Sequence, residues 1–317
     1  MTDPLPPAPP ERLIGGVVAF EEEGRLRSAV DSLLAQRLPD RVEWEELRIV
    51  VGLDDEPTAT VARECAGRDR RVVVLYEAQR RGKSAALAEI LDRGGGDYFV
   101  LLNGDAQAAP GAVANLIEMA RSLPRRPCGV MGRPMPSMDR IDVYTTALEI
   151  LWAYHHRFHE IVLSHDGAPH LSDELLLLSA AEHPHLPSGI VNDGAYLAFS
   201  IHEASGSLGY APTAYVRVAI PRTWIDHLRQ RRRILWGHLQ ARDTFGQAPG
   251  TFALYATHHP AWALRVMWEE ASERRLGFRA TLLLVAGELL AAIAAVCDQG
   301  LGRHSHEVWR RVAVSPQ

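Results

Sequence analysis

The residues in this chain whose types suit chemistry stand at the ends of apolar runs. Tyr98 to Leu102 reads as a buried strand that stops at Asn103-Gly104-Asp105, and Pro110 then opens an alanine-rich helical pattern. Proline is tolerated in a helix's first turn. A carboxylate at the carboxyl end of a buried strand is where open α/β sheets bind ligands, although aspartate and glycine also suit a plain tight turn. A second run, Leu47 to Leu53, ends at Asp54-Asp55, and a third, Val72 to Tyr76, is followed by Arg80-Arg81-Gly82-Lys83-Ser84. The last of these imitates the end of a phosphate-binding P-loop. That motif needs a glycine where Glu77 stands, so it is excluded. Asn192-Asp193-Gly194 has ordinary turn composition. His155 and His159 are spaced i,i+4 and would share a helix face, as paired zinc ligands do. No third ligand is evident and HExxH is absent, which favours solvated or core histidines.

The elements that must position these residues alternate. Ile14 to Phe20 reads as a strand, followed by Glu21-Glu22-Glu23 and a helix over 25–36. Carboxylates in a first turn suit the helix dipole. Helices are expected over 58–65 and from Ser84 to Leu91, between the strands named above. Strand–helix alternation at this spacing argues a mostly parallel, doubly wound sheet, which gathers the strand ends at one edge. The 317 residues with 47% hydrophobic content are ample for a core, and a net charge of −5 gives no global attraction to nucleic acid. Cys65, Cys128 and Cys297 have no CxxC spacing, so neither a disulfide framework nor a cysteine zinc site is indicated. The proline-rich start, residues 1–12, is expected to be a disordered tail. No signal peptide is visible, which makes the cytoplasm the default compartment.

Taken together, these motifs resemble the inverting family 2 glycosyltransferases with the GT-A nucleotide-sugar fold. The family's P-A-Y-N-E is matched in part by Val18-Ala19-Phe20-Glu21-Glu22, with Ala19, Phe20 and Glu22 keeping the pattern. Its V-D-D-G-S corresponds to Leu53-Asp54-Asp55-Glu56-Pro57, and its N-x-G-K-x-x-A-L to the stretch from Arg80 to Leu87. The metal-binding D-x-D corresponds to Asn103-Gly104-Asp105, and the E-D pair to Asn192-Asp193. Gly209-Tyr210-Ala211-Pro212 follows, and Gln230-Arg231-Arg232-Arg233-Ile234 approaches the Q-x-x-R-W signature, with isoleucine in place of tryptophan.

The resemblance implies a GT-A α/β domain over 13–245, with a nucleotide-binding half (13–120) and an acceptor half (121–245), and a C-terminal helical extension over 246–317. It implies an inverting, metal-dependent transferase that moves a sugar from a nucleoside diphosphate, uridine rather than guanosine, to a hydroxyl acceptor. Asp105 would hold Mg2+ or Mn2+ through carboxylate oxygen, the donor type such hard cations take. Asn103 would offer an oxygen without charge. Asp54 or Asp55 would meet the uracil, Lys83 the phosphates, and Gln230, Arg231 and Arg233 the diphosphate. Asp193 would be the general base that takes the acceptor proton. Two other readings stay open: a nucleotide-sugar-binding protein without turnover, suggested by Asn103 and Ile234, and a nucleotidyltransferase.

The rest of the chain adds expectations without chemistry. Ile141 to Leu163 is a long helical pattern. Leu171-Ser172-Asp173-Glu174 before Leu175 to Leu178 has the form of a helix cap, and the resemblance implies that Asp173 and Glu174 contact the acceptor. From Trp224 runs an amphipathic helix whose clustered cations also fit a basic surface. Ala261 to Arg275 reads as a charged amphipathic helix, and Ala280 to Cys297 as a nearly all-apolar one interrupted by Glu288. The latter is barely long enough to span hydrocarbon. A helix buried in a C-terminal layer or dimer contact is preferred to peripheral membrane docking.

Overall fold

The computed structural model describes residues 9–162, 170–179 and 185–302. Residues 1–8 of the expected tail, Leu163 and residues 303–317 lie outside these. The expected alternation is present as β1 (Glu11–Val18), α1 (Leu26–Leu34), β2 (Val42–Gly52), α2 (Glu56–Arg68), β3 (Val72–Glu77), α3 (Lys83–Asp92) and β4 (Tyr98–Asn103). The first strand takes in Glu11 and Arg12, which the sequence alone leaves in the tail; Glu11 N donates to Arg41 O at 2.7 Å and ties that end down. There follow β5 (Gln107–Ala108), α4 (Ala112–Ser122), β6 (Cys128–Pro136), α5 (Val143–Val162), β7 (Leu175–Ser179), α6 (Asp193–Glu203) and β8 (Ser207–Val218). Helices α7 (Trp224–Phe245), α8 (Phe252–His258), α9 (Pro260–Ser272) and α10 (Gly277–Gly300) complete the described chain.

One sheet holds all the strands, in the order β3-β2-β1-β4-β7-β6-β8-β5. Strands β1 to β4 are mutually parallel, and Val18 aligns with both Val50 and Asn103, so the strand ends carrying polar residues meet at one edge. The sheet is mixed beyond them, because β7 runs antiparallel to both β4 and β6. This corrects the expectation of a helix cap at Leu171–Glu174. Leu175 to Leu178 is a short apolar run buried on both faces, and such a run makes a central strand. Its entry segment therefore carries Asp173 and Glu174 to the same edge as Asn103.

Alternate residues of the strands feed apolar layers on the two faces of the sheet. Val100 and Leu102 pack with α1, α2 and α4, while Phe99 and Leu101 pack with α3 and α6. Phe99 is fully buried, which stabilises the fold by about 1.5–3 kcal/mol relative to exposure. A strand anchored on both faces holds the turn at its end in place, and that turn is Asn103-Gly104-Asp105.

The C-terminal helices form a layer against α5 and α7. Tyr154 of α5 stacks on Phe252 at 4.5 Å, and Ala280 and Leu284 of α10 join Ala147, Ile150 and Val266 in one apolar cluster. A Cβ at Gly287 would lie 2.4 Å from the Trp224 ring, so α10 crosses α7 in close contact there. The expected burial of α10 holds for one face only. Ala280, Leu284, Gly287, Ala291 and Ala295 are covered, whereas Leu282, Leu289, Leu290, Ile293 and Val296 are exposed. By length and composition α10 is the one helix among the described residues able to cross a membrane.

Candidate active site

The edge of the sheet is built where β1 ends against β4. Gly104 N donates to Val18 O at 3.1 Å, and a Cβ at Gly104 would lie 2.9 Å from that of Ala19. Glycine is therefore required for the Asn103–Asp105 turn to sit against the first strand. Phe20 follows Ala19, and the Arg80 guanidinium covers its ring at 3.2 Å, a cation–π contact. Glu22 is buried and pairs with Arg25 at 3.5 Å, while its N–H donates to Thr58 Oγ1. It thus braces the loop rather than opening to a ligand. Asp55 is committed in a similar way: it accepts from Glu21 N at 2.5 Å and caps α2 through Thr58 N at 3.4 Å. Its neighbour Asp54 is exposed and faces Arg80.

The neighbouring stretch of the same edge brings four carboxylates and two cations together. Lys83 is the first residue of α3, set by Gly82 at φ 96°, a left-handed backbone that glycine adopts without strain. Its ammonium bonds Asp173 and lies 3.3 Å from Asp193 Oδ2. Asp193 opens α6, capped by Asn192, whose Oδ1 accepts from Ala195 N at 3.0 Å. Asn103 Nδ2 donates to Glu174 Oε2 at 2.8 Å, and Asp105 also faces Glu174. Arg233 of α7 reaches the cluster from above, facing Asp193 and Asp173.

These groups perturb one another. Burial pushes Glu174 up to about 8, and the neighbouring charges of Asp173 and Asp105 add to it. Burial raises Asp193 to about 6 against the pull of Lys83. Burial would raise Asp173 as well, but Lys83 outweighs it and holds that carboxyl low. Lys83 stays charged because Asp173 and Asp193 outweigh its own desolvation. Asp193 Oδ2 is buried and receives no hydrogen bond, since the Lys83 contact lacks hydrogen-bond geometry. The excess of negative charge around Glu174 and Asp105 is a donor set that a hard divalent cation would relieve. The set fits such an ion, with Asp105 and Glu174 as its carboxylates and the Asn103 amide beside them.

Helix α7 divides the cations that the sequence leaves alike. Arg231 makes a two-pronged pair with Glu288 of α10 at 2.6 and 2.8 Å, and Arg232 binds Asp298. The expected diphosphate role of Arg231 is therefore not what its geometry serves: Glu288 draws it to the helical layer. Arg233 alone of the three turns to the carboxylates, and Gln230, half-buried, shares its side of α7 one turn earlier. Trp236 does not replace the missing tryptophan, because it packs with Val191 and Ala295 between helices.

Residues that no sequence motif singles out hold Asp193 in place. Gln240 accepts from Val191 N and donates to Gly189 O, both at 2.9 Å, clamping the loop ahead of Asp193. Gly237 lets α7 rest on Asn192, where a Cβ would approach to 2.8 Å. The i,i+4 spacing of Arg233 and Gly237 is the only sequence signal for this contact.

The site is thus the edge of a mixed α/β sheet, where acidic residues gather beside Lys83 and Arg233. Residues 16–173 match the family described as Glycosyl transferase family 2, and the chain is a glycosyltransferase of that family. Among solved structures, a mannosyltransferase from Pyrobaculum calidifontis, in complex with GDP-Man and Mn2+, is similar with a TM-score of 0.60 at 18% identity. That match covers 93% of this chain and 88% of the other. GalNAc-T7 with UDP, GalNAc and Mn2+ overlaps 66% of this chain and 43% of its own at TM-score 0.47 and 11% identity. TarS of S. aureus overlaps 71% and 39% at TM-score 0.44 and 13% identity. Comparison with curated protein sequences gives no match.

Proposed function

We propose that the protein is an inverting transferase that moves a sugar from a nucleoside-diphosphate sugar to a hydroxyl acceptor, with Asp193 as general base. The observation that carries this reading is the Asp193 carboxylate, buried at the start of α6, with Oδ2 3.3 Å from the Lys83 ammonium but outside hydrogen-bond geometry. Such an oxygen is ready to accept the proton of an incoming hydroxyl. Burial has moved its pKa toward neutrality, where a base is both ionised and avid for a proton. Asp193 and the acceptor lie on one side of the anomeric carbon. The diphosphate would leave on the other. Attack from the side opposite the leaving group inverts the anomeric centre.

A Mg2+ or Mn2+ ion held by Asp105 and Glu174 would neutralise charge developing on the departing diphosphate. The Mn2+ in the mannosyltransferase complex favours a divalent ion here. Asp54, exposed beside Arg80, is the candidate for the nucleobase, and Phe20 for the pocket wall. The donor is expected to carry uridine. The GDP-Man of the mannosyltransferase makes guanosine the competitor to test against it.

The deciding experiment follows the anomeric proton of the product by NMR with UDP- and GDP-sugars and manganese. An inverted product that disappears in Asp193→Asn supports the reading, and a retained configuration overturns it. We read helix α10 as part of the fold rather than a bilayer span, a reading supported by the ties of Glu288 and Asp298 to α7. Its exposed apolar face is where the expected dimer or membrane-surface contact would form. The full chain is therefore expected in the soluble fraction without detergent; recovery only from detergent-extracted membranes would reverse this.

A further inference from the structure

Behind the carboxylates lies a second cluster that sugar transfer does not use. His155 and His159 stand one turn apart on α5, with ring centroids 4.3 Å apart. His170, just before Asp173 in the chain, stacks on His159 at 5.3 Å, and His238 of α7 meets His170 edge-on at 5.7 Å. One ring nitrogen from each of His155, His159 and His170 lies within 4.8 Å of the others. His159 is 1% exposed. The Nδ1 atoms of His155, His159 and His170 and the Nε2 of His238 are all buried without a hydrogen-bond partner.

Buried polar nitrogens ordinarily find partners, and four orphans on neighbouring rings are a costly arrangement for a fold to retain. The walls offer no relief. Trp152 and Phe158 lie against His155 and His159, and Tyr210 spends its hydroxyl on His156. The charged groups facing the cluster are Arg231, itself paired with Glu288, and Asp173, paired with Lys83. Burial keeps the imidazoles neutral, with His155 moved down to about 3 and His170 to about 4. Their lone pairs are thus available at neutral pH. A borderline-soft cation converts each orphan nitrogen into a ligand, and imidazole donors suit zinc while oxygen donors suit magnesium and manganese.

We infer that His155, His159 and His170 form a zinc site, completed by His238, that ties α5 and α7 to the segment carrying Asp173 and Glu174. Zinc takes imidazole nitrogen at about 2.0–2.1 Å, in the closed tetrahedral set that structural sites use. The His155, His159 and His170 nitrogens, now within 4.8 Å of one another, would close in on the ion, and His238, whose ring meets His170 edge-on at 5.7 Å, would turn to supply the fourth ligand. The ion would be a structural clip with no open position for substrate, and it is independent of the oxygen-liganded metal at Asp105.

The test uses the full chain, stripped with a chelator and titrated with Zn2+ against a chromophoric competitor, and separately with Co2+. The expected result is one tight zinc per chain that excess Mg2+ or Mn2+ does not displace. Co2+ should give the intense visible bands of a tetrahedral site. His170→Ala should weaken zinc binding by more than about 100-fold, beyond the loss expected of an outer-shell partner. His258→Ala, on the exposed surface, should leave it unchanged. Circular dichroism of metal-free His170→Ala checks folding, and the cobalt spectrum of the parent needs no variant. Absence of tight zinc and of tetrahedral cobalt bands in the parent overturns the site. Parent-like zinc affinity in a folded His170→Ala chain does the same.

Discussion

The segment from His170 to Glu174 has a cluster of titratable side chains on either side, and the two clusters handle burial in opposite ways. Toward the sheet edge, Asp173, Glu174, Asp193 and Asp105 are gathered with Lys83 and Arg233, and the charges are held by pairing. Toward the helical layer, His155, His159, His170 and His238 are neutral, each with one ring nitrogen lacking a hydrogen-bond partner. A buried charge persists only when paired, because desolvation otherwise neutralises it. A buried imidazole simply gives up its proton. The first cluster is thus poised for proton and phosphate chemistry, and the second for a metal that needs free lone pairs. Helix α7 serves both, sending Arg233 to one and His238 to the other, while Arg231 and Arg232 fasten it to α10.

The largest effect should come from breaking the oxygen cluster at its base. Asp193→Asn keeps the shape and removes the proton acceptor, so turnover should fall about 100- to 10,000-fold. Nucleotide-sugar affinity and zinc content should hold. The parent's rate should also fall as pH drops through about 6, because the raised pKa of Asp193 leaves the base protonated below it. A flat acid limb, or parent-like transfer by the mutant, would remove Asp193 from the role. A matched loss of donor affinity would place it on the donor side. Next in size, Asp105→Ala should abolish the manganese-dependent part of UDP binding, read by thermal shift. A saturating ligand at 100 times its dissociation constant adds about 2.7 kcal/mol in the parent. Equal stabilisation of the mutant by UDP and manganese would exclude Asp105 as a ligand.

Much of this arrangement is legible in the amino-acid sequence itself. Each apolar run that stops at Asp54-Asp55, Lys83 or Asn103 is a parallel strand or the loop after one, because local pattern and sheet rules fix those ends. The position of Asp193 can be read only through family resemblance, since Asn-Asp-Gly serves a turn and a helix start equally well. Other features depend on partners distant in the chain. Leu171 to Leu178 looks like a cap and helix until β4 and β6 flank it and make it a strand. Arg231, Arg232 and Arg233 are equivalent in sequence, and only α10 sorts them. His170 lies off the α5 periodicity, so no spacing rule could join it to His155 and His159.

Helix α10 gives a smaller test of the same comparison. Glu288→Gln leaves Arg231 half-buried and short of its carboxylate, at a point where its charge faces both His227 and the histidine cluster. The pair is partly open to solvent, so the loss should be about 1–3 kcal/mol of folding stability rather than the larger loss of a sealed pair. Urea denaturation measures it, and sugar transfer at saturating donor should be unchanged. A large loss of transfer without loss of stability would mean that Glu288 acts on the chemistry through Arg231.

The smallest effect concerns Asn103, where the family pattern expects aspartate. The simplest expectation is that Asn103→Asp adds a charge and tightens the metal. The structure adds a cost, because the Asn103 amide donates to Glu174 and the new carboxylate could not. Without metal, the change removes that hydrogen bond and sets two carboxyl groups together, for a loss of about 1–3 kcal/mol. With manganese, both carboxylates share a cation and the penalty should be recovered. The thermal midpoint of the variant should therefore lie below the parent's in chelator and approach or pass it in manganese. A midpoint that stays depressed by the same amount in both conditions would separate Glu174 from the metal. The Asn103 contact would then be a brace between β4 and β7 and nothing more.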